Sequence, residues 1–337
     1  MATTRDGMTA FDLYRPTGVE DALSLADRLN GDAWLLAGGL DSLERFKDRI
    51  KQPGVVIDLG NIESLRGVRE AGGDLVIGPM TTLTEVAAHP LIRERFGLLA
   101  EAAGEVASPQ IRNQGTLGGN LCQDTRCWYY RSGWACYRAG GNICYADTPE
   151  GMNREHAIFG ASRCVAVSPS DTAPPLVALE ARFTVRSALG ERVVVAEDFF
   201  IGPDHDITRL TVLEPGDLLT EIRLPSTWAG APYSFEKVRD RAVWDFPLVN
   251  LAAVMRLSGG RIERARFVLG AVAAKPWRLP RVEAAVAGRS REDAANSAPS
   301  LAAKGAVPLG HNGYKTALAR NLVRRAILGG ANEKETS

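Results

Sequence analysis

The five cysteines of this 337-residue chain, Cys122, Cys127, Cys136, Cys144 and Cys164, all fall between residues 122 and 164. Cysteine used as small core filler would be scattered. Thiolates gathered in one stretch point instead to a metal or a cluster, because soft sulfur ligands select such centres. The spacing, C-x4-C-x8-C-x7-C-x19-C, contains no C-x2-C knuckle, so the commonest structural zinc pattern is missing. Four of the five would complete an all-thiolate shell for a [4Fe–4S] cluster and leave one spare. On spacing alone a cluster, a zinc site and a disulfide or spectator role all stay open. The odd count and the length of the chain disfavour a disulfide framework.

Two glycine-rich turns offer a second chemistry. In LLAGGLDSL (35–43) an apolar strand ends in Gly38-Gly39 and leads into a helix. In GTLGGNL (115–121), Gly118-Gly119 stands beside Thr116 and Asn120. Glycine lets bare backbone N–H groups approach an anion, and the positive end of a helix dipole adds to the attraction. Neither turn fits G-x-G-x-x-G and no GK[ST] loop occurs, so a Rossmann site or an NTPase is not indicated. Two such turns fit a pyrophosphate gripped from two sides.

The elements that must position these groups alternate. Ser24–Leu29 reads as helix, 33–37 as a buried strand, 41–50 as helix and 54–59 as strand, together a small βαβ-like unit. Residues 75–78 read as strand, and 81–88 as a helix with a Ser/Thr cap followed by a glutamate. Residues 91–107 read as helix and 108–120 as a polar, glycine-rich loop. Residues 163–167, 181–187 and 221–224 read as strands. The Pro/Gly/Ala break at 225–232 suggests a boundary, beyond which 252–257 and 264–269 read as antiparallel strands and 282–287 and 315–328 as helices.

Composition bounds the function. Forty basic and forty acidic residues cancel, which argues against a general affinity for nucleic acid or an anionic membrane. The apolar runs are too short to span a bilayer, and no membrane insertion is expected. The first 16 residues show neither an apolar h-region nor a twin arginine. The expected location is cytoplasmic, or periplasmic if a signal-bearing partner carries the chain there. The four histidines are dispersed. His156 reads either as a neighbour of the cysteine centre or as a satisfied structural histidine. No Ser/His/Asp set or paired catalytic acids are found, so no catalytic residue is assigned.

In order along nearly the whole chain, LLAGGLDSL, IGPMTTLTEV, ASPQIRNQGTLGGNL, SPSDTAPPLVALEA, FFIGP, EPGDLLTEIRLP, FEKVRDRAVWDFPLVNLAAV, LGAVAAKPWRLPRVEAAVAG and NGYKTALARNLVRRAI resemble the FAD-binding (medium) subunit of the xanthine dehydrogenase and aldehyde oxidoreductase family, the molybdenum hydroxylases. The resemblance implies an α+β protein with α/β elements in its N-terminal part. An FAD-binding PCMH-type domain would span 1–228, a smaller domain of the CO dehydrogenase flavoprotein type 229–330, and a flexible tail 331–337.

The cysteine-rich insertion at 121–165 is similar to those of the periplasmic-type aldehyde oxidoreductase flavoprotein subunit and the 4-hydroxybenzoyl-CoA reductase beta subunit, and TRCWYYR and MNREHAIFG look closer to the former. That likeness implies a [4Fe–4S] cluster on Cys127, Cys136, Cys144 and Cys164, with Cys122 the spare. Exchange of Cys122 for Cys127 stays open. The aromatic side chains of the insertion would bury the cluster.

The family match further implies that Leu36, Ala37, Gly38, Gly39, Leu40, Asp41 and Ser42 wrap the FAD pyrophosphate. Thr81 and then Thr116, Gly118, Gly119 and Asn120 would contact FAD from the other side. Leu40 and Ser42 depart from the family's more usual GGTDLL. Asp171 matches an FAD-contacting aspartate, or is a helix cap. Lys237 matches a lysine near the flavin, or is a solvated surface lysine.

The implied partners are a large molybdopterin-binding subunit, a small subunit with two [2Fe–2S] clusters, and an external electron acceptor. Electrons would pass from molybdenum through the [2Fe–2S] clusters to FAD. A 4-hydroxybenzoyl-CoA reductase-like beta subunit is the alternative enzyme, and a zinc-stapled scaffold module the alternative outside catalysis.

Overall fold

The computed structural model describes residues 8–29 and 32–329; the expected tail at 331–337 lies outside the described residues. The N-terminal layer is a parallel βαβ arrangement. Strand β1 (Asp12–Tyr14) leads through α1 (Val19–Arg28) to β2 (Ala33–Leu36), and α2 (Leu40–Lys47) carries the chain to β3 (Val55–Asp58). β3 is central, in the order β1-β3-β2. Helix α1 buries Ala22, Leu23 and Ala26, one stripe at helical spacing, against Ile57 and Leu59. At the entry to α2, Gly39 takes φ +81°, a left-handed conformation that glycine adopts without steric cost.

A second sheet holds β4 (Val68–Ala71) and β5 (Asp74–Ile77), which precede a run of short helices: α3 (Leu83–Ala88), α4 (Pro90–Arg95), α5 (Gly97–Gly104), α6 (Pro109–Gln114), α7 (Leu117–Cys122), α8 (Trp128–Arg131) and α9 (Ala173–Ala178). The chain returns as β6 (Arg182–Ser187), β7 (Gly190–Val195), α10 (Ala196–Phe199) and β8 (Leu218–Leu224). The five strands are antiparallel in the order β4-β5-β8-β6-β7, and their inner face (Leu75, Ile77, Phe183, Val185, Ile222) packs on Leu98, Leu99 and Leu176 of the helices.

The C-terminal part is an antiparallel sheet of β9 (Tyr233–Val238), β10 (Val249–Ser258), β11 (Arg261–Gly270) and β12 (Trp277–Arg278), in the order β12-β11-β10-β9. It is covered by α11 (Pro280–Val286), α12 (Arg291–Ser297) and α13 (Tyr314–Leu328). β10 is buried on both faces. Leu251, Ala253 and Met255 pack with Leu322 and Val323 of α13, while Ala252 and Val254 join the N-terminal core. One hydrophobic core therefore runs across the break at 225–232.

The elements differ from expectation in three places. Residues 108–120 form α6 and α7 rather than a loop, because Ser108 and Thr116 each accept an N–H bond from the first turn that follows, from Ile111 (3.4 Å) and Gly119 (3.1 Å). Residues 91–107 split into α4 and α5 at Phe96, whose backbone leaves the helical region (φ −137°). Residues 163–167 form no strand: Arg163 has φ +56°, which no ladder accommodates, and only an isolated Ser162–Cys164 bridge remains. The cap expected on 81–88 is a full capping box between Thr82 and Glu85. The paired strands 252–257 and 264–269 are antiparallel, with Ala252 opposite Val268. Among the described residues no helix is long and apolar enough to cross a membrane.

Candidate functional site

The two glycine turns lie against each other and form one wall of a cavity of about 1190 Å³. A Cβ on Gly38 would stand 2.3 Å from the Gln114 carbonyl oxygen, and one on Gly118 would stand 2.7 Å from Pro79 Cβ. Gly119 approaches both Thr116 Oγ1 (3.0 Å) and Ala37 Cβ (3.5 Å) from where its own Cβ would be. Only glycine allows this approach, and it leaves the backbone of both turns facing the cavity.

Ala37, Gly38, Gly39, Leu40, Asp41, Ser42, Thr116, Gly118, Gly119, Asn120 and Asp171 all line this space. Leu36, Thr81 and Lys237 are not among the lining residues. Thr81 is buried behind the wall, with its hydroxyl bonded to the backbone of Gly67. Several polar side chains on the wall are already committed to the protein. Ser42 Oγ accepts from Trp34 Nε1 (3.0 Å). Asn120 Oδ1 accepts from the hydroxyls of Ser170 (2.7 Å) and Thr172 (2.6 Å), which ties the second turn to the start of α9.

Lys237 is not solvated: its side chain is 1% exposed and its ammonium lies 2.7 Å from Asp171 Oδ2. Asn250 Nδ2 donates to the other Asp171 oxygen (2.9 Å). Asp171 therefore presents to the cavity a carboxylate held from behind. Burial pushes its carboxyl above the ordinary aspartate range despite Lys237. Replacing Lys237 with Met should cost about 3–5 kcal/mol, the usual result of stranding one buried charge. The urea midpoint of the variant measures this loss, and a Lys237→Met/Asp171→Asn double variant should recover most of it.

Sequence reasoning assigned no role to two further parts of the wall. One is the segment from Leu213 to Leu219, containing the Glu214-Pro215-Gly216 turn before β8. The other is Trp244 to Phe246 from the C-terminal half. Trp244 holds φ +78°, and its N–H donates to Ala107 O (3.0 Å). Apart from Leu213 both segments sit inside phrases that carry the family resemblance, but neither contains a glycine pair or a titratable pattern to single it out.

A second, far smaller cavity is lined by Cys127, Cys136, Cys144 and Cys164, the four cysteines expected to act together, along with His156, Tyr130 and Arg138. His156 Nε2 lies 3.2 Å from Cys127 Sγ. Burial pushes the Cys127 thiol up to about 11 and raises that of Cys164, the latter against the opposing field of Arg138. Cys122 faces the large cavity instead: it is open to that space yet enclosed by protein, which pushes its thiol up to about 12. Among the described residues no group of three or more His, Cys, Asp or Glu side chains converges closely enough to hold a metal ion; the four thiols surround a space instead. Beside it Tyr129 and Tyr145 stack with ring centroids 5.8 Å apart, and Trp134 meets both edge to face at 5.2 and 4.7 Å. Trp128 and Trp134 leave about half their surface exposed, so the aromatic lobe is only partly a shield.

An ion network, buried at Asp124, Arg138 and Arg45 and open to solvent at Glu44, reaches the cysteine cavity through Arg138 and lines the larger one. Asp124 accepts from Arg138 Nη2 (2.5 Å) and Arg45 Nη2 (2.9 Å). Asp41, in the first turn of α2, accepts from Arg131 (2.6 Å), Arg126 (3.1 Å) and the Asp124 N–H (3.0 Å). Glu44 pairs with Arg126. Burial alone would push the Asp124 carboxyl up, but Arg138 and Arg45 hold it below the ordinary range.

Glycine turns gripping one wall of so large a cavity, on a βαβ layer joined to an α+β half, define a protein that holds an extended nucleotide. Residues 9–227 match the FAD binding domain in molybdopterin dehydrogenase, and residues 233–329 match the CO dehydrogenase flavoprotein C-terminal domain. The chain belongs to the FAD-binding medium subunits of the molybdenum hydroxylase family, and it is an oxidoreductase subunit.

It is 32% identical to the carbon monoxide dehydrogenase medium chain of Hydrogenophaga pseudoflava over 94% of this chain and 96% of that one. It is 36% identical to the aldehyde oxidoreductase FAD-binding subunit PaoB of Escherichia coli, over 82% of this chain and 86% of PaoB. A solved structure of carbon monoxide dehydrogenase from Hydrogenophaga pseudoflava superposes with a TM-score of 0.76 at 31% identity, covering 96% of this chain and 98% of that one.

Proposed function

We propose that this chain is the FAD- and [4Fe–4S]-bearing electron-transfer subunit of a molybdenum-dependent hydroxylase complex of the aldehyde oxidoreductase type. It would receive electrons from a large molybdopterin-binding subunit by way of a small subunit with two [2Fe–2S] clusters, and deliver them to an external acceptor. The observation that carries this reading is the gathering of Cys127, Cys136, Cys144 and Cys164 around one cavity beside the larger glycine-walled one. Similarity to an aldehyde oxidoreductase FAD-binding subunit supports the substrate class.

When bound, FAD supplies the exchange between two-electron and one-electron transfer and a cluster supplies a one-electron site. The chain supplies placement. Backbone at Ala37–Leu40 and at Gly118–Gly119, with Thr116 and Asn120, holds the pyrophosphate, Asp171 holds FAD farther along the wall, and Lys237 fixes Asp171. The four cysteines hold the cluster as thiolates, so their protons must leave on loading. We further propose an FAD-binding domain ending near residue 228, with the cysteine lobe at 121–165 inserted in it.

Anaerobic purification followed by iron, zinc and flavin quantitation tests the reading. The expected result is about four irons and about one FAD per chain. FAD with zinc and no iron would reduce the cysteines to a structural staple and overturn the cluster assignment.

A further inference from the structure

One residue belongs to both cavities. Arg138 lines the cysteine chamber with Cys164 and also lines the glycine-walled cavity. Its side chain is 4% exposed, Nη1 donates to Ile207 O (2.7 Å), Nη2 is paired with Asp124, and Nε has no hydrogen-bond partner. A guanidinium cannot shed its charge at any working pH, so this position stays positive. Its surroundings do not cancel it. In the network that reaches both cavities, Arg45, Arg126, Arg131 and Arg138 face Asp41, Glu44 and Asp124, leaving one positive charge in excess. Arg138, Arg45 and Asp124 are each under a tenth exposed, so their charges act on one another more strongly than they would in water.

We propose that Arg138 is the positioning residue that sets the electron affinity of the cysteine chamber, with Asp124 as its counterweight. The inference rests on the proposed cluster and FAD assignments. An electron entering the cysteine chamber adds one negative charge there, and an adjacent fixed cation favours that state. Asp124 opposes it from the far side of the guanidinium. Arg138 thus raises the midpoint potential of the chamber and Asp124 lowers it.

The test is an anaerobic redox titration of the purified protein with dithionite as the one-electron donor, followed by electron paramagnetic resonance, with iron and FAD quantified in each sample. Arg138→Met should make reduction at least tenfold less favourable, a downward shift of about 59 mV or more for one electron. Asp124→Asn should shift the potential upward, and Arg138→Lys should stay near wild type. A merely structural wall residue would not give shifts of opposite sign. If Arg138→Met does not fold, Asp124→Asn decides alone. Unmoved potentials in variants with wild-type iron and FAD would overturn the inference while leaving the cofactor reading intact. Wild-type protein without iron would overturn the cofactor reading, and the inference with it.

Discussion

Serine at any one of Cys127, Cys136, Cys144 or Cys164 is expected to drop iron from about four per chain to below one and to bleach the broad visible absorbance. The four thiols line one chamber, and a hydroxyl is a poor substitute for a soft thiolate. Cys136 gives the clearest reading because it is the most buried of the four. Cys122→Ser is the internal control. That thiol faces the glycine-walled cavity, so the variant should keep its full iron. FAD content should stay at the wild-type level in Cys136→Ser, since Cys136 lines only the smaller chamber. Unchanged iron in Cys136→Ser, or lost iron in Cys122→Ser, would sink the ligand assignment.

Gly38→Val should reduce FAD occupancy at least tenfold while leaving the far-ultraviolet circular dichroism of the chain unchanged. A Cβ there would lie 2.3 Å from a backbone oxygen of α6, which cannot rotate aside as a side chain would. The two turns must then part, and the grip on a pyrophosphate depends on their approach. A tenfold loss of affinity is about 1.4 kcal/mol, small beside the cost of overpacking a tight contact. Gly118→Val acts from the opposite side through Pro79 and should produce the same loss. Flavin fluorescence released by heat from equal amounts of protein measures both. Wild-type flavin in both variants would mean that the turns do not hold FAD.

The parts of this molecule that periodicity could reveal were those stabilised locally. The alternation of AWLLA, a helical stretch and GVVIDL predicts a βαβ unit, and the chain folds that way with Ile57 of β3 in the core, Leu35 of β2 packed against it, and α2 contributing Phe46 while Leu40 and Leu43 stay exposed. The glycines of 108–120 point to a loop, but the hydroxyls of Ser108 and Thr116 start α6 and α7 there. At Arg163 the backbone obeys the shape of the cysteine lobe rather than a local β preference. The grouping of four cysteines with the fifth apart followed from the family likeness; spacing alone left it open. Lys237 could not be placed from sequence. Whether a lysine is solvated or locked depends on a carboxylate 66 residues away along the chain, and only the tertiary structure brings Asp171 there. For the same reason the walls from 213–219 and 244–246 carried no local sign of their place.

The cysteine lobe is clasped from the C-terminal side. Ile158 and Phe159 belong to the core that α13 completes, their N–H groups bond to Val272 O, and Lys315 Nζ donates to Glu155 O. On the ribosome, therefore, the thiol chamber emerges long before the elements that hold it shut. Closure of the lobe waits on Val272 and on a lysine 160 residues farther along the chain than the carbonyl it binds, so the chamber is made first and fastened last.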